Sequence, residues 1–271
     1  SRSHVRLLEA AGIGTVAALA RSSPTAPAQI NPKVYARLQH QAALQLKARE
    51  TGQRYVEPIE AVNSPAPGEL RGFARLPAPA AGDLFFDMEG DPLAEGGLEY
   101  LFGLLWREGE REHYKSFWAH DRQEEKKAFE AFIDFVTDHL NRHPDAYIYH
   151  YAAYEKTALR DLMTGHGTRE AEVDRLLRED RLVDLYAVVR ESIRVSEDSY
   201  SLKNIELFFR PKRSGSVQNA GASVVFYEKW REDRANINIL ADIESYNRDD
   251  VVATYQLRQW LLGLRPKELP W

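Results

Sequence analysis

The sequence predicts an α/β domain built on a mixed sheet, an antiparallel meander plus a parallel strand flanked by helices, with a small helical region in front. Three observations carry this. Three strand-like runs follow one another through charged turns over 84–118; a long segment of helical periodicity comes next; and a fourth apolar run at 146–150 leads into a tail that reads as helical throughout. Strands joined by short turns pair antiparallel, whereas a strand reached through a helix joins the sheet as a crossover.

Taken in order, residues 4–20 hold two short helical patterns, and Pro32-Lys33-Val34-Tyr35 opens a longer helix over about 32–51. Eight of the 13 prolines precede residue 81, with Pro58, Pro65, Pro67, Pro77 and Pro79 inside 57–82. That stretch therefore reads as an extended linker or wrapping strand. Leu84-Phe85-Phe86-Asp87-Met88 is the first strand, Tyr100-Leu101-Phe102-Gly103-Leu104-Leu105-Trp106 the second and His113-Tyr114-Lys115-Ser116-Phe117-Trp118 the third. A helix over about 121–141 places Phe129, Phe132, Ile133, Val136 and Leu140 on one face. Ala146-Tyr147-Ile148-Tyr149-His150 is the fourth strand, and helices are expected at about 153–164, 168–179, 183–193, 201–208, 223–234 and 238–263. The expected organisation is a helical region at 1–56, a Pro-rich linker at 57–82, the α/β domain at 83–263 and a junction or natural C-terminus at 264–271.

Composition narrows the function classes. A chain of 271 residues with 44% hydrophobic and 28% charged side chains is globular, too apolar for wholesale disorder. The absence of cysteine excludes a disulfide framework, a thiolate nucleophile and any Cys-based zinc site. The longest near-apolar stretch, Ala10 to Ala20, is about half of what a bilayer crossing needs, and Ser1-Arg2-Ser3-His4 does not read as a signal peptide. The expectation is a soluble, intracellular, cytoplasmic protein without membrane partners, nucleoid-associated if bacterial. Charge is uneven: residues 1–80 carry 10 Lys/Arg against 5 Glu, so the net −5 of the whole chain conceals a basic front and an acidic body. A basic front suits a polyanion. An acidic body suits one only if some carboxylates hold divalent cations; solvated helix faces account for most of these acids.

Three segments carry the candidate chemistry. In Asp87-Met88-Glu89 the two carboxylates are two residues apart on a strand and project from one face. Like charges so close repel unless a cation lies between them. With 41 acids in 271 positions, about six such triples arise by chance, and a strand end emerging into solvent explains the pair equally well. His150-Tyr151-Ala152-Ala153-Tyr154-Glu155 follows the fourth strand, outside whose carboxyl end ligands of α/β sheets gather. Glu155 is also favoured there by the helix dipole alone. On the last helix, Tyr246 and Asp250 lie four apart on one face, with Asp249 as the competing register.

Together these segments resemble the DEDD-type 3′–5′ exonucleases of the tyrosine-bearing (DEDDy) subgroup. More closely, residues 83–263 resemble the RNase H-like nuclease domain that occurs beside a helicase in RecB-like nucleases. Phe85-Phe86-Asp87-Met88-Glu89-Gly90-Asp91-Pro92, Leu182-Val183-Asp184-Leu185-Tyr186 and Ser199-Tyr200-Ser201-Leu202-Lys203-Asn204-Ile205-Glu206 add to the match. The resemblance implies an RNase H-like fold and two-metal phosphodiester hydrolysis with Mg²⁺ or Mn²⁺, acting on single-stranded DNA ends or on RNA, with a helicase as partner. On it, Asp87 bridges two ions, Glu89 and Asp250 complete the first, Glu155 serves the second through water, and Tyr246 orients the attacking water. It also implies Asp184 as a supporting carboxylate, although a helix cap explains that residue equally, and Lys203 as a phosphate neutraliser, against a plain solvated lysine. One departure stands out: the family's second-motif acid is commonly Asp, and here it is Glu155, longer by one methylene.

Two stretches suit nucleic acid. Phe208-Phe209-Arg210-Pro211-Lys212-Arg213-Ser214-Gly215-Ser216 joins aromatics to Arg210, Lys212 and Arg213, either a single-strand guide or a core Phe pair followed by a basic loop. Leu7 to Ala20 resembles a helix-hairpin-helix element whose turn, Gly12-Ile13-Gly14, offers backbone N–H groups to a phosphate; a plain helical hairpin fits equally well.

Overall fold

The computed structural model describes residues 1–59, 70–211, 213, 217 and 219–271. Its front is helical: α1 (Arg2–Ala10), α2 (Val16–Ala20) and α3 (Pro32–Thr51). Local chemistry sets these limits. Thr15 caps α2 by accepting from the Ala18 amide, Asn31 caps α3 ahead of Pro32, and Gly52 ends α3 in the left-handed region at φ 69°. Leu8, Leu19, Ile30, Tyr35 and Ala42 make a small core of their own.

A short strand, β1 (Val56–Pro58), ties this front to the body by pairing antiparallel with β7 (Ile193–Val195). Gln41 and Gln45 of α3 add hydrogen bonds to the carbonyls of Val195 and Glu197, at 2.8 and 3.2 Å. Of the Pro-rich stretch, residues 60–69 lie outside the described residues; beyond them Phe73 and Leu76 are buried in the same core as Phe85 and Val188.

The body is a five-stranded mixed sheet in the order β4-β3-β2-β5-β6. β2 (Leu84–Asp91), β3 (Leu98–Glu108) and β4 (Arg111–Trp118) form the antiparallel meander, and β5 (Ile148–His150) and β6 (Leu182–Asp184) are parallel additions on the other side of β2. The crossovers are α4 (Arg122–Arg142), and α5 (Tyr154–His166) with α6 (Glu170–Arg178). The chain then continues through α7 (Leu185–Ser192), α8 (Leu202–Ile205), α9 (Ala220–Glu232) and α10 (Asn238–Leu264). None of the helices searched is long and apolar enough to cross a membrane.

Two short strands depart from the expectation that all after His150 is helical. Leu182–Asp184 and Ile193–Val195 flank α7 directly, so three-residue strands merge with the helix's own apolar pattern. The helix expected at about 153–164 runs two residues further, so that His166 is the last residue of α5 and meets Glu125 at 2.7 Å.

Strand alternation sorts the core into two faces. Leu84, Phe86 and Met88 point to the layer of α4, α5 and α6, where Phe86 meets Phe132 with ring centroids 4.5 Å apart. Phe85 points the other way, to the layer of α7 and α10. Asp87 and Glu89 share that second face. α10 thus covers the strand that carries the acids.

The far end of α10 is fastened by a buried ion pair. Arg258 lies 3.2 Å from Asp83, with both side chains at most 6% exposed, and its guanidinium faces the rings of Phe85 and Tyr149 at 5.2 and 5.1 Å. Asp83 also accepts from the amides of Ala80 and Tyr147, each at 3.0 Å. The two partners are not equivalent: a carboxyl can take up a proton, but a guanidinium cannot shed one. Asp83→Ala is therefore expected to cost ~3–5 kcal/mol in urea denaturation, and Arg258→Met distinctly less.

Candidate active site

Asp87 and Glu89 leave the central strand toward α10, which presents Tyr246 and Asp250 one helical turn apart on the facing side. Asp87, Glu89 and Asp250 each bring a carboxylate oxygen within 4.8 Å of the others, Glu89 and Asp250 buried and Asp87 half-buried. Three hard oxygen donors converging at the end of a strand could hold a divalent metal ion. The register along α10 also separates the two adjacent acids. Asp250 joins the cluster, whereas Asp249 turns to Arg210 at 2.6 Å.

One residue absent from the sequence expectations holds this arrangement together. Asn247, fully buried, donates from Nδ2 to Asp87 Oδ2 at 2.8 Å and accepts at Oδ1 from the Tyr114 hydroxyl at 2.9 Å. It reaches Asp87 because the residue paired with Asp87 across the sheet is Gly103. A Cβ there would lie 1.7 Å from Asn247 Oδ1. The signal was present in the sequence: a lone glycine among the bulky residues of β3 marks a close approach.

The remaining candidates take up distinct places. Glu155 lies outside the three-carboxylate cluster, in the first turn of α5, and is buried; its Oε2 is 3.4 Å from His150 Nδ1 and has no hydrogen-bond partner among the described residues. Among the described residues neither ring nitrogen of buried His150 has a hydrogen-bond partner; its polar contact is the 3.4 Å approach of Nδ1 to Glu155 Oε2. Asp184 acts as a cap: its Oδ1 accepts from the amides of Tyr186 and Ala187 at the start of α7, and from Ala152, whose φ is 81°. It thereby shapes the loop that delivers Glu155. Lys203 is half-buried rather than solvated, donating to the Tyr246 hydroxyl at 2.7 Å and lying 4.3 Å from that ring's centroid.

The nucleic-acid candidates are drawn inward. Arg210 is paired with Asp249, and Arg213 reaches Asp250, Asp249 and Glu206. Phe208 and Phe209 are partly buried against Trp260, at 5.8 and 5.5 Å, which is the core-pair alternative rather than an exposed stacking platform. Lys212 and Ser214 to Ser216 lie outside the described residues. At the front, α1 and α2 form a helical hairpin, but the amides of Gly12 and Ile13 are already spent on the carbonyls of Glu9 and Leu8, at 2.9 and 2.8 Å. Of the three amides of the Gly12-Ile13-Gly14 turn, these two are not free for a phosphate.

Charge is the dominant property of the cluster. Burial first, then Asp250, Glu89 and Glu155, push the Asp87 carboxyl well above its ordinary range. Burial and Asp250 do the same to Glu89, against the help of a hydrogen bond from Ser223. Burial raises Glu155 too, opposed by His150. The Tyr246 phenol is raised by burial and by Asp250, Glu89 and Asp87, so it keeps its proton and acts as a donor. Lys203 is lowered by burial, with Asp250 and Glu89 holding it up.

A family model described as the RNase H superfamily matches residues 84–262, and the chain belongs to that family. No curated protein and no solved structure matches the chain. The superfamily and an acid cluster able to hold a metal ion together indicate a nuclease.

Two outcomes follow from this geometry. Gly103→Ala is expected to force Asn247 off Asp87, destabilising the domain by ~1–3 kcal/mol and lowering divalent-metal affinity, as read by calorimetric titration. The raised carboxyls bind protons more tightly in the folded chain than in the unfolded one. Without metal, that stabilisation is complete below the ordinary carboxylate range and is lost as pH rises through the raised values. Melting temperature in EDTA should thus fall as pH rises above the ordinary carboxylate range, and Glu89→Gln should melt above wild type on the alkaline side while responding less to Mn²⁺.

Proposed function

We propose that this chain is a divalent-metal-dependent 3′–5′ exonuclease that removes nucleotides from single-stranded DNA ends by a two-metal mechanism. The observation that carries the reading is the convergence of Asp87, Glu89 and Asp250 within 4.8 Å, with Tyr246 one turn from Asp250 and Glu155 on the neighbouring helix. That set and its order along the chain resemble those of the DEDD-type exonucleases with a tyrosine, with Glu155 standing where the family commonly has Asp. The donor set fits the group: every ligand is a hard carboxylate oxygen, and the buried Glu155 Oε2 has no hydrogen-bond partner among the described residues.

Asp87, Glu89 and Asp250 would hold the first ion, and Asp87 with Glu155 the second. Bound there, Mg²⁺ or Mn²⁺ lowers the pKa of a water nucleophile and neutralises charge on the phosphate and the leaving oxygen. The chain's own groups do the rest. The Tyr246 hydroxyl, protonated and backed by the Lys203 ammonium, has its hydrogen to give to the attacking oxygen or to Asp250. Asn247 fixes the Asp87 carboxylate, so its free lone pairs face the cluster. Lys203 places a positive charge beside the position of the phosphate. Action inside the cell, with a helicase supplying the strand, completes the proposal and rests on the family resemblance alone.

The test uses single-stranded DNA labelled at the 5′ end in one sample and the 3′ end in another, with Mg²⁺, Mn²⁺ or EDTA. A metal-dependent ladder from the 5′-labelled strand with immediate release of the 3′ label is expected; discrete internal cuts would replace the proposal with an endonuclease, and cleavage of RNA alone with an RNase. Asp87→Ala should lower kcat at least ~100-fold. Tyr246→Phe keeps the ring beside Lys203 but removes the donor, and is expected to lower kcat ~10–100-fold with KM little changed. Binding of DNA without cleavage under any of these metals would leave a docking module in place of the enzyme.

A further inference from the structure

Arg213 is the one guanidinium among the described residues that pairs with a member of the three-carboxylate cluster. Its Nη1 is 2.5 Å from Asp250 Oδ1, its Nη2 is 2.6 Å from Glu206 Oε2 and its Nε is 3.0 Å from Asp249 Oδ2. The side chain is only 14% exposed, and Glu206 only 3%. Glu206 stands outside the cluster and accepts from Arg213 Nε at both carboxylate oxygens, at 3.0 and 2.7 Å, so with the Nη2 contact it holds that edge of the guanidinium. Nη1 remains to reach across to Asp250.

This division of labour has a consequence for any cation entering at Asp250. The charge of Oδ1 is committed to Arg213, so the cation and the guanidinium compete for one oxygen, and two positive groups that close repel. Glu206 supplies a reason for the arginine to stay nearby when displaced. A planar fork held on one edge by a buried carboxylate presents its other edge to an anion, and a phosphodiester suits that geometry.

Resting on the nuclease reading above, we propose that Arg213 is an internal counter-cation: metal entry at Asp250 is an exchange that releases Nη1, and the freed edge, still held by Glu206, binds a phosphate of the substrate strand. Arg213 is then a positioning residue with two partners in turn. Asp250 has it without metal, and the nucleic acid has it with metal.

Titration calorimetry with Mn²⁺ tests the exchange on wild type, Arg213→Gln, Arg213→Lys and, as a control for loss of one positive charge nearby, Arg210→Gln. Arg213→Gln should bind Mn²⁺ about tenfold more tightly and melt lower in EDTA. Arg213→Lys, a point charge unable to span Glu206 and Asp250, should fall between it and wild type and keeps the test open should the glutamine variant not fold. Arg210→Gln should change the affinity less than about threefold. In the presence of Mn²⁺, Arg213→Gln should bind a phosphorothioate oligonucleotide about tenfold more weakly by fluorescence anisotropy. If wild type binds Mn²⁺ and cleaves DNA while neither Arg213 variant binds Mn²⁺ more tightly, the exchange fails and the nuclease reading stands. Equal tightening by Arg210→Gln likewise overturns the exchange, and unchanged oligonucleotide affinity overturns the phosphate contact. If no form binds Mn²⁺, both readings fall together.

Discussion

Everything at this site depends on how closely α10 approaches the central strands. Helices usually stand off a sheet by the length of the side chains between them. Here Gly103 removes that spacer at one point, and Asn247 fills the gap with an amide that bonds to Asp87 on one side and to Tyr114 on the other. The neighbouring turn of the helix is thereby brought down onto the strand, and Asp250 arrives beside Asp87 and Glu89. The buried Arg258–Asp83 pair pins the same helix at its other end. Helix and strand are thus held at two points, with the acids nearest the first.

Bringing carboxylates together in this way is unfavourable by itself, and the chain offsets it by three different means. Asn247 offers a dipole, Lys203 a charge relayed through the Tyr246 hydroxyl, and Arg213 a charge in direct contact. A dipole cannot be displaced by an ion at little cost, but a charge can be exchanged for another of the same sign. The permanent support therefore falls on Asp87, and the support open to exchange on Asp250. Glu155 is supported by the 3.4 Å approach of His150 Nδ1 to its Oε2, which has no hydrogen-bond partner among the described residues, and so it too gains from a cation.

Much of this was legible in the sequence where a residue pattern repeats often enough to be seen. The long strands β2, β3 and β4 and the helices α3, α4 and α10 show their period over many residues. β6 and β7 do not, because three residues cannot display a period of two and the apolar run continues into α7. Strand alternation was enough to unite Asp87 with Glu89, and helical spacing to unite Tyr246 with Asp250. Adjacent residues on a helix point about 100° apart, so the competition between Asp249 and Asp250 needed the docked helix to decide it. Asn247, hidden inside the same short motif, was missed because its partner, Gly103, lies far away along the chain and carries no side chain to advertise the contact. Arg210 and Arg213 read as cations awaiting phosphate; what spacing alone could not reveal was that Glu206 and Asp249 already face them.

The order of the acids along the chain has a consequence for synthesis. Asp87 and Glu89 leave the ribosome with the meander, but Asp250 lies near the end of the described residues, on a helix that packs against elements already made. A nascent chain holds two of the three carboxylates and lacks the third until α10 has emerged and docked on the strands and on the earlier helices α7, α8 and α9. The capacity to gather a metal is thus coupled to completion of the fold, which delays the assembled acid cluster until the domain has been made.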